Sequence, residues 1–265
     1  MLKSCRMFDE LGLSAAKLQS MPANWFPYFD ICHYILAALA VRKEVGVPFS
    51  RNNPLATWVA TLTASFAGSM IANPLLGKPV FGAVSDEYNL YLATLVWWAV
   101  FYSPADIVYK VLKNQAVYLP ICVLKEIYRA KKTLGGISDA AKLYPDHELI
   151  QITVGLIKGN GSGFMKPITR LVCGTWVPGS SELLKMSVTS KGCLVAAVLM
   201  VADKAGHIPA PVSGDLLYLG IVGVFILVKL APLLGEPIDP FKPLQKAVHL
   251  LTGDLWNNVE NIKED

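Results

Sequence analysis

Apolar residues crowd into seven stretches, near 25–41, 55–77, 88–108, 116–133, 149–173, 186–203 and 214–234, separated by segments carrying charge, proline and glycine. Each approaches the roughly 20 residues a helix needs to cross bilayer hydrocarbon. The seventh is the most uniform, with 216–230 almost wholly apolar. The fourth and sixth are short or polar for lipid-facing helices, which predicts that they are shielded in a bundle or lengthened into the interface. The pattern predicts an all-α polytopic membrane protein with seven transmembrane helices. A single transmembrane domain covers 1–235 and a tail covers 236–265.

Composition agrees. Of 265 residues, 53% are hydrophobic and 17% charged, against about 25% charged in soluble domains. Mean hydropathy is +0.43. Residues 1–20 mix Lys3, Arg6, Asp9, Glu10 and Lys17 with apolar residues. They form no secretory signal, and 7–18 has the pattern of a short amphipathic surface helix. The five cysteines show no CxxC or Cys/His metal spacing and read as small buried hydrophobes. HExxH, GxSxG and carboxylate–histidine clusters are absent, so no catalytic residue is expected and the chain is not read as an enzyme. No metal site and no nucleic-acid partner are expected. Asp86, Glu87 and Asp203 lack calcium-loop spacing and read as surface carboxylates.

Charges between the stretches orient them. Arg42, Lys43 and Arg51 follow the first, Lys110 and Lys113 the third, Arg170 and Lys185 flank the loop after the fifth, and Lys242 and Lys246 follow the seventh. The alternate loops 78–87 and 203–215 are neutral to acidic. The positive-inside rule places the N-terminus away from the cytoplasm and the C-terminal tail within it.

A basic run, Lys125-Glu126-Ile127-Tyr128-Arg129-Ala130-Lys131-Lys132, continues the fourth stretch without a helical break. Lys125, Arg129 and Lys132 share one helix face. A Lys or Arg at a lipid-exposed helix centre costs roughly 2.5–3.5 kcal/mol on insertion scales, so that face must meet water, protein or an anion. Glu126, three residues before Arg129, is placed to pair with it. Lys131 and Lys132 read as an interface end, snorkelling toward water. Asp30 and His33 share a face of the first stretch, where a proton relay is open and an interhelical hydrogen-bond pair is favoured. Asp106 is expected to cap a helix or pair within the bundle.

Several features recur 93 residues apart: Pro27 and Pro120, Gly68-Ser69 and Gly161-Ser162, Pro74 and Pro167. A repeat of three helices, an odd number, inverts its second copy. The reading is two inverted repeats, about 22–110 and 115–204, plus a final helix at 214–234, an architecture common in transport. The fifth stretch concentrates Gly155, Lys158, Gly159, Asn160, Gly161, Gly163, Lys166 and Pro167. Broken backbone at membrane depth is tolerated where it is buried or lines a water-filled cavity. Gly155, Gly159 and Gly163 equally suit close helix packing. Lys158 favours a pore lining, since packing needs no lysine. Asn160-Gly161-Ser162 matches a glycosylation sequon but lies at membrane depth.

These residues resemble the trimeric intracellular cation channels of endoplasmic and sarcoplasmic reticulum. The resemblance rests on Phe26-Pro27-Tyr28-Phe29-Asp30-Ile31-Cys32-His33-Tyr34, on the basic run with Gly135-Gly136 (like the family's KEV-x-R motif), and on the glycine-rich fifth stretch. It extends from Arg170-Leu171-Val172 through Trp176-x-Pro178 to Leu184-Lys185-Met186-Ser187. It implies a homotrimer with one pore per protomer between the second and fifth spans, in a reticulum membrane with the N-terminus luminal. It implies a K⁺ channel supplying counter-ion current for Ca²⁺ release. Phosphatidylinositol 4,5-bisphosphate is the implied lipid ligand, at Lys125 and Arg129. The implied pore and hinge residues are Gly68, Ser69, Pro74, Lys158, Gly159, Gly161, Gly163 and Lys166. Departures from the family pattern are Lys158-Gly159-Asn160-Gly161-Ser162 and the short acidic segment Gly179-Ser180-Ser181-Glu182.

A pore lined by Lys125, Arg129 and Lys158 repels cations unless an anion neutralises it. A phosphoinositide head group, accepting charge-assisted hydrogen bonds, is expected to do so. No TVGYG-like filter is present, so strong K⁺ selectivity is not expected. An alternating-access carrier for an anionic solute held by the same three residues fits the repeat equally well.

Overall fold

A computed structural model describes residues 14–179, 181–209, 212, 214–235 and 239–243. Among these residues it contains helices and no strand. Most of the surface helix expected at 7–18 lies outside the described residues. The first described helix, α1 (Ala15–Asn24), begins where the Ser14 side chain accepts the Lys17 N–H.

The next helix, α2 (Tyr28–Asn52), runs well past the predicted end at 41 and breaks at Gly46. Gly46 adopts φ 76°, two residues before Pro48, a conformation open to glycine at little cost. The longer helix corrects the reading of Arg42 as a loop charge. Arg42 is 2% exposed, donates to the Val100 carbonyl, pairs with Asp106 at 2.9 Å and lies 3.9 Å from the centre of the Tyr109 ring. Asp106 thus pairs within the bundle, as expected.

Helix α3 (Pro54–Leu75) starts with proline at its first turn, where the missing N–H costs nothing. It has no internal break. Pro74 falls in its last turn and is exposed, so it ends the helix rather than hinging it at membrane depth. Helix α4 (Glu87–Tyr102) is capped by the Asp86 carboxylate. The third span is not straight: Ala105 and Asp106 adopt positive φ, and the chain turns 85° into α5 (Ile107–Lys113). Helix α6 (Gln115–Leu143) is 29 residues long, about 43 Å at 1.5 Å per residue. The helix therefore continues ten residues past the predicted end at 133, with Lys132 exposed along its length rather than at its end.

Helix α7 (Glu148–Val172) leaves helical geometry at Asn160. Helix α8 (Val188–Lys204) is capped by Ser187, and α9 (Asp215–Leu230) continues as a 3₁₀ turn to Leu234. By length and composition Pro54–Leu75 and Asp215–Leu234 each suffice to cross a membrane, and the bent Glu87–Lys113 pair makes a third. The charged helices α6 and α7 sit within the bundle.

Three apolar clusters fill the bundle among the described residues. One joins α2, α3 and α4 with Leu112 of α5 and Ile121 and Cys122 of α6; a second joins α6, α8 and α9 with Ala15, Leu18 and Phe29; a third, of Ala72, Leu76, Ala140 and Val154, sits where α3, α6 and α7 meet. Helix α7 packs against α3, α6 and α8, and α6 contributes to both large clusters. At the α3–α7 crossing, a Cβ added to Gly161 would lie 2.3 Å from the Gly68 Cα. Two positions 93 apart in sequence are thus in backbone contact.

Candidate functional site

Where α2, α3, α6 and α7 converge, a cavity of about 180 Å³ opens. Helix α6 contributes Lys125, Tyr128, Arg129 and Lys132, successive positions on one face. Helix α7 contributes Lys158, Gly159, Gly161 and Ser162; α3 contributes Ser65, Gly68 and Ser69. From α2 come Asp30, His33 and Tyr34, and from the start of α4 and the turn before it Asn89 and Asp86.

Of the residues that sequence implicated, Lys125, Arg129, Gly68, Ser69, Lys158, Gly159 and Gly161 line this cavity. Gly163 instead packs beside the Asn160 side chain and Glu182, where an added Cβ would meet Asn160 Nδ2 at 2.6 Å. Pro74 and Lys166 are exposed and outside the lining. The glycines serve packing as well. Added Cβ atoms at Gly155 and Gly159 would meet Ile137 and Thr133 of α6 at 2.6 and 2.3 Å.

The cavity's electrostatics differ from the unbalanced basic face expected from sequence. Glu126 grips Arg129 through both oxygens, at 2.7 Å to Nε and 3.3 Å to Nη2. Arg129 Nη1 also donates to the Gly159 carbonyl at 2.9 Å and to Asn160 Oδ1 at 3.2 Å. The departure from helical geometry at Asn160 lies beside that carbonyl and coincides with its turn toward arginine. Asn160 in turn donates to Ser190 at 2.5 Å, and Ser190 donates to Glu182. Glu126, Arg129, Asn160, Ser190 and Glu182 therefore form one polar chain across α6, α7 and α8. Lys158 is paired with Asp139 at 2.6 Å.

The remaining lining charges are Lys125, Lys132, Asp30 and Asp86. Neither lysine makes an ion pair among the described residues; Lys132 Nζ sits 4.8 Å from the centre of the Tyr128 ring. Asp30 accepts the Tyr128 hydroxyl at 2.5 Å. Asp86 caps α4 and accepts from Asn89 at 2.6 Å. Two lysines thus face two carboxylates, and the other two cations carry their own counter-charges. The His33 ring meets the Ser65 carbonyl at 2.8 Å. Asp30 and His33 each bond a different helix, α6 and α3, so both make interhelical hydrogen bonds.

Sequence reasoning missed Asp139, Tyr128, Asn160 and Glu182. Tyr128 lay inside the basic run and went unassigned, although its spacing from Lys125 and Lys132 placed it on the same face. Asp139 and Lys158 meet across two helices, and no local spacing signals that pair.

Comparison with known proteins places this arrangement. A family model for the TRIC channel matches residues 43–236. The trimeric intracellular cation channel type 1B.1 of Caenorhabditis elegans is 40% identical over 95% of this chain and 86% of its own length. Type B-B of Xenopus laevis is 30% identical over 96% of this chain and 89% of its own. Among solved structures, a trimeric intracellular cation channel from C. elegans with bound Ca²⁺ superposes with TM-score 0.75 at 39% identity, covering 88% of this chain and 99% of that one. A TRIC counter-ion channel described for its activity in calcium release superposes with TM-score 0.76 at 31% identity, covering 79% and 93%. Members of this family are channels and not enzymes, and on the matched length and shared fold this chain belongs to the trimeric intracellular cation channel family.

Proposed function

We propose that this chain is a K⁺-conducting monovalent cation channel of endoplasmic or sarcoplasmic reticulum, supplying counter-ion current during Ca²⁺ release. It works as a homotrimer with one pore per protomer, the N-terminus luminal and the C-terminus cytoplasmic. Its two three-helix units are inverted copies, and their seam at Gly68 and Gly161 borders the ion path. The observation that carries this reading is the charge balance of the cavity. Glu126 offsets Arg129, Asp139 offsets Lys158, and Asp30 and Asp86 stand against Lys125 and Lys132. A cation entering such a cavity meets no large net positive charge, so conduction does not depend on a bound anion. Lys125 and Lys132 remain available to a phosphoinositide head group, phosphatidylinositol 4,5-bisphosphate in this proposal, with Arg129 forming the wall beside it. Bound there, the lipid acts as a modulator of current.

Single-channel recording in planar bilayers under a KCl gradient tests this. Discrete openings reversing near the K⁺ potential are expected, with open probability changed by phosphatidylinositol 4,5-bisphosphate in wild type and unchanged in Lys125→Ala/Lys132→Ala. Saturable tracer flux without openings would overturn the channel reading in favour of a carrier.

The carboxylates yield a separate expectation. A unit charge about 8 Å from a permeating ion changes its energy by roughly 2 kcal/mol at an effective dielectric of about 20. Asp30→Asn/Asp86→Asn is therefore expected to move the reversal potential in a KCl gradient toward zero, as Cl⁻ enters and K⁺ is disfavoured. An unchanged reversal potential would remove these residues from the ion path.

A further inference from the structure

Behind the Glu126–Arg129 pair lies a second cavity, of about 230 Å³. At about 30 Å³ per water-sized group it has room for a short run of methylenes. Its walls are apolar, including Val188 and Gly192 of α8, Phe225 and Val228 of α9, and Leu233 and Phe241 after α9. It borders the last turn of α9, the most lipid-like helix of the bundle, whose 3₁₀ continuation supplies Leu233. Lys229 lines it and makes no ion pair or hydrogen bond among the described residues. Among the described residues the only other charges in the lining, Glu126 and Arg129, neutralise each other. The space is thus an apolar slot with a single uncompensated cation at a helix end, where lysine reaches the membrane interface.

One wall is held by the segment that follows α9. Asp239 pairs with Lys191 at 3.2 Å and accepts the Phe241 N–H at 3.0 Å. Burial works against the ionised Asp239, but the Phe241 N–H and the Lys191 ammonium outweigh it and hold this carboxyl below its ordinary range. Phe241 rests against Gly192, where an added Cβ would come within 3.5 Å of its ring. The wall is therefore pinned rather than adventitious.

We propose that this second cavity seats an acyl chain of an anionic phospholipid of the surrounding bilayer, with its phosphate on Lys229. The charge complementarity selects an anionic head, and the apolar lining selects a chain. The site is separate from the phosphoinositide reading of the first cavity. Arg129 lines both cavities, and Lys229 stands close enough to Lys125 for the two charges to repel, so the test carries a variant in each cavity.

Native mass spectrometry of protein released from phosphatidylcholine nanodiscs doped with phosphatidylglycerol tests the proposal. Wild type is expected to retain phosphatidylglycerol over phosphatidylcholine. In Lys229→Gln retention should fall about fivefold, the scale of one interfacial lysine, and Lys229→Arg should restore it. Val188→Trp, which fills the slot, should abolish retention of either lipid. Lys125→Ala, in the first cavity, should retain phosphatidylglycerol as wild type does. Equal retention in wild type, Lys229→Gln and Val188→Trp would overturn the site. So would equal retention of both lipids by wild type, or retention of added oleate in place of phospholipid. Loss in Lys125→Ala alone would assign the lipid to the first cavity and overturn the second.

Discussion

Gly161→Val is expected to prevent the bundle from closing. A Cβ at this position would lie 2.3 Å from both the Cα and the N of Gly68 and 2.8 Å from the Ala67 carbonyl carbon. These are backbone atoms of α3, so no rotamer change relieves the overlap, and the two helices must separate. The α3–α7 crossing borders the cavity and the apolar cluster of Ala72, Leu76, Ala140 and Val154, so separation loosens contacts around both. Overpacking a closed core costs about 1–3 kcal/mol, and at about 2–4 °C per kcal/mol the melting temperature should fall by roughly 2–12 °C, toward the upper end because the clash is with backbone. Gly135→Ala is the internal comparison. It lies in α6 with open space around its Cβ position, and alanine favours helix over glycine by about 1 kcal/mol. Gly159→Ala should fall between them, because the clashing atom is the rotatable Thr133 Oγ1. Thermal melts followed by fluorescence-detected gel filtration would order the three variants. A Gly161→Val protein as stable as Gly135→Ala would refute the close crossing.

The same crossing shows what the sequence held and what it withheld. Apolar stretches located α3, α7, α8 and α9 to within a few residues, because these helices begin and end at caps, prolines or charges that also read as breaks. The 93-residue offset paired Gly68 with Gly161. It did not reveal that both must be glycine because their backbones touch, a fact that belongs to the packing of two distant helices. Arg42 was misread for a physical reason. Charge ordinarily ends a membrane helix, but here Asp106, the Val100 carbonyl and the Tyr109 ring supply a polar and aromatic seat inside the protein. That seat depends on the 85° turn after α4, built on positive φ at Ala105 and Asp106. No glycine or unusual spacing marks those two positions.

The candidate site divides the same way. The i, i+3 spacing of Glu126 and Arg129 made their pairing legible, and helical geometry made Lys125, Arg129 and Lys132 one face. The balance of charge was not legible. Asp139 reaches Lys158 across 19 residues and Asp30 reaches Tyr128 across 98, so counting lysines along one helix overstated the positive field of the cavity. Asn160 read as part of a sequon, whereas its side chain carries hydrogen bonds between Arg129 and Ser190.

Glu126→Leu should be the most damaging charge substitution in the chain. Glu126 is 3% exposed and Arg129 9% exposed, and removing one member of such a pair leaves an uncompensated buried charge at a cost of about 3–5 kcal/mol. A fall in melting temperature on the order of 10 °C follows. Replacing both members, Glu126→Leu/Arg129→Met, removes the charge and the desolvation penalty together, a change that is often neutral or stabilising. Here recovery should be incomplete, because the Gly159 carbonyl and Asn160 Oδ1 lose the guanidinium that Arg129 supplies. The expected order is wild type, then the double variant, then Glu126→Leu. Glu126→Gln, which keeps the shape, isolates the electrostatic effect: Arg129 becomes a net positive wall beside the cavity. K⁺ current per open channel should then drop while Cl⁻ permeability rises, the same direction as removing Asp30 and Asp86 from the opposite side. If Glu126→Gln matched wild type in both melting temperature and reversal potential, Arg129 would have to be balanced by another group. The charge balance that makes this cavity passable to cations would then fail, because among the described residues lining the first cavity it leaves no spare carboxylate to take that role.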